Sequence, residues 1–274
     1  MTSTAFVAPL VSRSVIAVRG SDWRRFLQGL ITQDVEGLPD GEARFAALLT
    51  PQGRLLFDLF VVAGDDACLI DCAAEHRDAL MQRLLIYRLR AKVEIAAAAR
   101  PVSALWGAEA APPGWSADPR LPALGFRGYG AAAPADATAT NEAAYAAHRL
   151  GLGVPGTADW GTDAAYPIEA NFDLLHGIDF KKGCFVGQET TSRMKRRGTV
   201  KTRMAPILFD GDAPRFGTEL LAGTLRAGRL LSGEPGRAMA MLRLDRLAEG
   251  PLILPDGRPW SPDLPVWFSG EGGG

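Results

Sequence analysis

Residues 43–63 read ARFAALLTPQGRLLFDLFVVA. Two apolar runs flank the turn tripeptide Pro51-Gln52-Gly53, which is a β-hairpin signal. Asp58 stands alone as a charge within the second run. Upstream, VIAVRG (15–20) reads as a short strand, and SDWRRFLQGLIT (21–32) as a helix with Ser21 as its N-cap. Trp23, Phe26, Leu27 and Leu30 recur at i, i+3, i+4 and i+7, one helical face. Downstream, after the turn residues Gly64, Asp65 and Asp66, ACLIDC (67–72) is a strand. AEHRDALMQRLLIYRLR (74–90) is a long helix and AKVEIAAA (91–98) a further strand. Residues 15–98 therefore read β-α-β-β-β-α-β, with helices returning across a largely antiparallel sheet. This is the α+β class.

Beyond residue 100, PVSALWG and LGFRGYG are two more strands, separated by the loop AEAAPPGWSADPR. AAAPADATAT (131–140) is a low-complexity surface segment, and NEAAYAAHRLG (141–151) a short helix. After about residue 200, KTRMAPILFDG, TELLAG, TLRAGRLLSG and RAMAMLRLD are short strands punctuated by glycine, the pattern of a small all-β barrel or sandwich. The expected organisation is an α+β core over 1–200 and a C-terminal barrel over 201–274, ending in a disordered SGEGGG tail.

Composition narrows the function. The 274 residues carry a formal net charge of −1, against a nucleic-acid binder held by bulk electrostatics. No run of 18 apolar residues is present, so no membrane-spanning helix and no membrane partner is expected. The N-terminus lacks the layout of a secretory signal. Three cysteines do not make a disulfide framework, and reduced thiols point to the cytoplasm. Three histidines are scattered without ligand spacing, so no metal site is expected. GLGVPG (151–156) matches a dinucleotide fingerprint, but it follows a helix and contains Pro155; it reads as a glycine-rich turn.

Cys68 and Cys72 sit in a strand and read as core thiols. Cys184 differs. It lies in KKGCFVGQETTSR (181–193), bracketed by Gly183 and Gly187 and preceded by Lys181 and Lys182, in a stretch with no clean helical or strand period. Neighbouring cations favour thiolate over thiol, so Cys184 is the candidate nucleophile and Lys182 its activator. Gln188, Glu189 and Arg193 add donors and acceptors. The segment 193–203, RMKRRGTVKTR, has six basic residues and no acid, and reads either as a polyanion site or as a solvated linker. Glu169, a lone carboxylate in YPIEANFDLLHGIDF (166–180), needs donors, which a reduced pterin or the backbone can supply.

KGCFVGQE (182–189), with Arg193 following, resembles the K-G-C-[FYI]-x-G-Q-E-x-x-x-R motif of the YgfZ-type folate-binding proteins. These are relatives of the aminomethyltransferase (T-protein) of the glycine cleavage system. FLQGLITQDVEGLPDGEARFAALLTPQGRLLFDLFV (26–61) and PIEANFDLLHGIDFKKGC (167–184) are similar to the family as well. The resemblance implies two interleaved ferredoxin-like modules forming a folate channel, plus the C-terminal β-barrel. It implies tetrahydrofolate or a derivative as cofactor and iron–sulfur client or assembly proteins as partners. By position, Glu169 would face the pterin, and Lys182, Cys184, Gln188, Glu189 and Arg193 would form the signature loop near the channel mouth; the cofactor-binding candidates are Glu169, Asp58, Gln188, Glu189 and Arg193, and the catalytic ones Cys184 and Lys182. Gln28, Thr32 and Asp34 match the family's first motif without an evident chemical role. The aminomethyltransferases carry two adjacent acids where this chain has Phe57-Asp58. The implied function is thus an accessory factor in iron–sulfur protein assembly or repair. Classical turnover is not expected; were the protein an enzyme, it would be a folate-dependent transferase. A folate-dependent one-carbon (aminomethyl) transferase is the first alternative and a tRNA-modification factor, with RNA on the basic segment, the second.

Overall fold

The computed structural model describes residues 4–64, 66–198 and 200–269. Asp65 of the expected turn, Thr199 of the basic segment and the tail from residue 270 lie outside the described residues. The chain divides into two compact units, Met1–Tyr145 with Leu175–Gln188, and Ala146–Leu174 with Glu189–Gly274.

In the first unit, β1 (Phe6–Pro9) and β2 (Arg13–Arg19) lead into α1 (Trp23–Gln28). Then come β3 (Ala43–Leu49), β4 (Leu55–Gly64), β5 (Ala67–Ala73), α2 (Arg77–Arg88) and β6 (Glu94–Ala98). The order β-α-β-β-β-α-β over 15–98 is as the sequence pattern predicts. These strands form one five-stranded antiparallel sheet, β3-β4-β5-β2-β6. β7 (Val102–Trp106), β8 (Trp115–Ala117), β9 (Phe126–Tyr129) and β10 (Thr138–Ala139) join β1 in a second sheet, β10-β1-β7-β9-β8. The chain enters the second sheet through β1, builds the whole first sheet, and then returns. That is an interleaving of the kind the family resemblance implies.

Alternation in β4 explains its mixed character. Phe57, Leu59, Val61 and Ala63 share a core with Trp23, Phe26 and Leu27 of α1 and Leu80 and Leu84 of α2. Asp58 and Phe60 point to the other face of the sheet. There the Phe60 ring is crowded by the guanidiniums of Arg127 (4.0 Å), Arg120 (4.9 Å) and Arg13 (5.5 Å).

Several local expectations change. Ser21 is not a cap: α1 starts at Trp23, and Asp22, at the N-cap position, makes no side-chain cap bond but accepts the Lys92 N–H at 2.8 Å. α1 is one and a half turns long, and Leu30, beyond its end, is still buried. The loop between β7 and β9 contains β8, and the low-complexity segment contains β10, paired in parallel with β1. A helix over Gln188–Arg196, α5, occupies part of the stretch that shows no clean period.

The second unit holds most of α3 (Glu142–Gly151), α4 (Thr157–Trp160), α5 (Gln188–Arg196, whose first residue belongs to the first unit) and a nearly closed six-stranded barrel. Its order is β15 (Leu252–Ile253), β12 (Glu219–Ala222), β13 (Leu225–Glu234), β14 (Arg237–Arg243), β11 (Thr202–Phe209) and β16 (Trp260–Pro262). An isolated bridge from Ile253 to Pro259 approaches closure. The barrel is filled by small and branched side chains, among them Ala205, Ile207, Leu220, Leu230, Ala240 and Leu242. β15 and β16 are two and three residues long, too short for a readable alternation.

Candidate functional site

The KGC stretch begins at an Asx turn. The Asp179 carboxylate accepts the backbone N–H of Lys181 (2.7 Å) and Lys182 (3.2 Å). The Asp179 N–H donates to the Thr32 carbonyl at 3.0 Å. Lys182 then turns inward, and its ammonium donates to the carbonyls of Ile31 and Gln33, both at 2.8 Å. Burial pushes the Lys182 pKa down from 10.5 to about 8, and the nearby acids Asp34, Asp179 and Glu36 pull it back only in part. Phe185 is the second inward residue, its ring centroid 5.6 Å from the Lys182 ammonium. Between these two pins Gly183 and Cys184 face solvent.

The seat for this stretch is the first family motif. Thr32 is fully buried; its hydroxyl donates to the Gly177 carbonyl (2.6 Å) and accepts the Ala47 N–H (2.8 Å). The Gln33 amide donates to the His176 carbonyl at 2.7 Å. Gln28 bridges the Asp34 carboxylate (2.7 Å) and the Val35 N–H (2.9 Å). Gln28, Thr32 and Asp34 thus fix the turn after α1, on which residues 177–182 rest. Gly187 closes the stretch at φ +80°, and a Cβ there would lie 2.6 Å from the Thr50 carbonyl oxygen, against the β3–β4 turn. Gly183 has open space around it.

The three thiols separate cleanly. Cys68 and Cys72 are in the core of the first sheet, as expected. Burial pushes both thiols up, Cys72 to about 12, so neither ionises at neutral pH. Cys184 is exposed.

Asp58 is engaged elsewhere. Its carboxylate accepts the Arg13 guanidinium at 2.8 Å, and Arg13 also binds Asp71 at 2.6 Å. Asp71 meets Arg127 at 2.5 Å, Arg127 reaches Asp118 at 3.5 Å, and Asp118 pairs with Arg120 at 2.7 Å. Three buried carboxylates and three guanidiniums therefore alternate between the two sheets, with balanced charge. Burial works against the Arg13 cation, yet Asp71 and Asp58 outweigh it and hold its pKa above the ordinary arginine value. At Asp118 burial favours the neutral acid, but Arg120 and Arg127 prevail and hold the carboxyl below its usual range. The network's sequence signal is single charges in apolar strands: Asp58, Asp71 and Arg127.

Glu169, Glu189 and Arg193 belong to the second unit. Glu169 is half-buried in a run of turns; its carboxylate accepts the Tyr166 N–H (2.9 Å) and its carbonyl the Met204 N–H (2.7 Å). α5 carries Gln188, Glu189 and Arg193, so these are helical and not loop residues. Within the basic segment, Arg203 turns inward to Asp173 (2.9 Å) and the Ile168 carbonyl (2.9 Å) and offers nothing to a polyanion. Among the described residues no group of three His, Cys, Asp or Glu is placed to hold a metal ion.

Comparison with known proteins bears on the fold and the sequence as a whole. Residues 201–270 match the family model of the CAF17 C-terminal β-barrel domain. Over 234 residues the chain is 33% identical to the mitochondrial iron–sulfur cluster assembly factor IBA57 homolog of Mycosarcoma maydis, covering 76% of this chain and 58% of that protein. The chain is thus similar in sequence to proteins named as IBA57-type iron–sulfur cluster assembly factors. Human mitochondrial IBA57 is 28% identical over 89% of this chain and 79% of its own length. The chain spans less than two thirds of the length of the fungal relatives. The solved structure of the glycine cleavage system aminomethyltransferase T from Bartonella henselae superposes with a TM-score of 0.78, at 18% identity, over 97% of this chain and 86% of that one. The fold is therefore that of the T-protein.

The cytoplasmic expectation is corrected by these relatives, which are named as mitochondrial proteins. Unpaired cysteines argue only against an oxidising compartment and cannot tell one reducing compartment from another. No described helix is long and apolar enough to cross a membrane.

Proposed function

We propose that this protein assists the assembly or repair of iron–sulfur proteins, with Cys184 as the residue through which it acts and a reduced folate as its cofactor. The observation that carries the reading is the presentation of Cys184. Two inward pins, Lys182 and Phe185, hold the only exposed thiol of the chain outward in a fixed loop. Similarity to IBA57-type factors supplies the process. With Cys68 and Cys72 locked in the core, the chain offers one accessible cysteine sulfur, so an iron–sulfur cluster in transit takes its remaining ligands from a client or carrier protein.

Tetrahydrofolate supplies a reduced pterin that carries one-carbon units. Glu169 fits a pterin: its carboxylate is half-buried and pre-oriented by the Tyr166 N–H, as paired recognition of ring N–H and exocyclic amine requires. Asp58 does not fit, because Arg13 already neutralises it. Glu189 and Arg193 lie on one exposed edge of α5, the polar surface assigned here to ligand or client. Lys182 acts by positioning the loop, since its ammonium is committed to two carbonyls.

The test has two arms. Wild type is expected to restore iron–sulfur enzyme activity in cells lacking their own factor, and Cys184→Ala to fail while folding normally. Tetrahydrofolate is expected to raise the melting temperature of both, and of Glu169→Ala less, by about 1–3 kcal/mol of binding energy. Full rescue by Cys184→Ala sinks the role of the thiol. Absence of a thermal shift at millimolar tetrahydrofolate sinks the folate.

A further inference from the structure

The outer face of α2 is unlike that of an ordinary surface helix. Its inner face, Leu80 and Leu84, packs on the first sheet. On the opposite side, where polar residues are expected, stand Leu85, Ile86 and Leu89, exposed by 43%, 66% and 87%. Leu89 is the residue after the helix, and its φ of +42° turns the chain out of the helical path. Among the described residues, Ile86 and Leu89 are left mostly uncovered and Leu85 partly so.

Cations surround them. Residues 80–93, LMQRLLIYRLRAKV, contain Arg83, Arg88, Arg90 and Lys92 and no acid. Arg19 joins Arg88, Arg90 and Lys92 around a shallow cleft of about 490 Å³, whose one carboxylate is Glu94. None of these five cations makes an ion pair, whereas Arg13, Arg24, Arg44, Arg77, Arg120 and Arg127 of the same unit all do, among the described residues. The chain as a whole is at −1, so the positive potential is local to this helix end.

We propose that the α2 end is a peripheral docking surface for an anionic lipid bilayer. Protruding aliphatic side chains beside a cluster of four or more Lys and Arg, on a shallow open surface, match what the headgroup–acyl boundary recognises: insertion of Leu85, Ile86 and Leu89, and cation contacts to lipid phosphates. This amends the expectation of no membrane partner, which concerned spanning helices alone. It is independent of the roles of Cys184 and folate.

Vesicle flotation tests it. Wild type is expected to float with phosphatidylcholine vesicles containing about 25% phosphatidylserine, to stay unbound with phosphatidylcholine alone, and to be released by salt. Arg88→Gln/Arg90→Gln/Lys92→Gln is expected to weaken binding by roughly a hundredfold. Ile86→Ser/Leu89→Ser is expected to weaken it about tenfold at unchanged charge. All five side chains are exposed, so both variants are expected to keep the wild-type melting temperature. No binding to anionic vesicles at low salt overturns the proposal, as does binding indifferent to either variant. So does reversible dimerisation abolished by Ile86→Ser/Leu89→Ser, which would make the stripe a self-interface.

Discussion

Gly183 and Gly187 bracket the same cysteine, yet an added methyl is expected to act very differently at each. At Gly187 the backbone sits at φ +80°, which costs an L-residue about 1–2 kcal/mol. The new Cβ would also lie 2.6 Å from the Thr50 carbonyl oxygen, 2.9 Å from Gly53 Cα and 3.0 Å from Leu49 Cβ. Two of these are backbone of the β3–β4 turn, itself held by the Gly53 N–H to the Thr50 carbonyl (2.8 Å) and the Thr50 N–H to the Arg54 carbonyl (2.8 Å). Neither can swing aside, so overpacking adds about 1–3 kcal/mol. Gly187→Ala is therefore expected to destabilise by ~3 kcal/mol, or roughly 6–12 °C in melting temperature for a unit of this size. Gly183→Ala, with open space and no positive φ, is expected to stay within about 0.5 kcal/mol of wild type. Thermal melts by circular dichroism, read beside the alkylation rate of Cys184, compare the two. Equal melting temperatures for the two variants would refute the packing of this loop on the hairpin turn.

Two further outcomes follow from the same site. Under native conditions an alkylating reagent is expected to label Cys184 rapidly and Cys68 and Cys72 only on unfolding, since burial shields both and pushes the Cys72 thiol to about 12; comparable native labelling of Cys72, followed by mass spectrometry, would contradict the core assignment. The Lys182 pKa is lowered from 10.5 to about 8, so the unfolded chain holds more protons between those values and stability rises with pH across that window relative to Lys182→Met, with no Lys182-dependent slope below it; a wild-type-minus-variant difference in denaturation free energy that falls from pH 8 to 10 would show that the ammonium is not desolvated.

The hairpin, the β-α-β-β-β-α-β order and the main barrel strands were legible because each rests on alternation or on a helical stripe longer than one turn. β8 and β10 were not, because three and two residues carry no period, and their pairing with β9 and β1 is decided by distant chain. Cys184 and Lys182 were legible as a pair, but their division of labour was not. Sequence neighbours suggested that the ammonium serves the thiol, while the fold sends it 151 and 149 residues back along the chain, to the Ile31 and Gln33 carbonyls. The same long-range contact explains Gln28, Thr32 and Asp34, which have no visible role until the 177–182 stretch is laid on them.

α5 shows what a hydrophobic period cannot detect. QETTSRMKR has a single buried residue, Thr191, and two adjacent β-branched threonines that lower helix propensity. Its signal is electrostatic instead. Glu189 lies in the first turn, where the helix dipole favours an anion, and Arg193, Lys195 and Arg196 lie in the last, where it favours cations. That ordering was present in the residues, but it reads as a charge run unless the helix is suspected. The consequence bears on the site. Read as a loop, Gln188, Glu189 and Arg193 form one polar cluster around Cys184. As a helix, Glu189 and Arg193 stand at i and i+4 on one exposed face, and Gln188 points about 100° away. A ligand or client that meets this helix therefore encounters an edge carrying one charge of each sign, with Lys195 and Arg196 adding positive charge within the same last turn as Arg193.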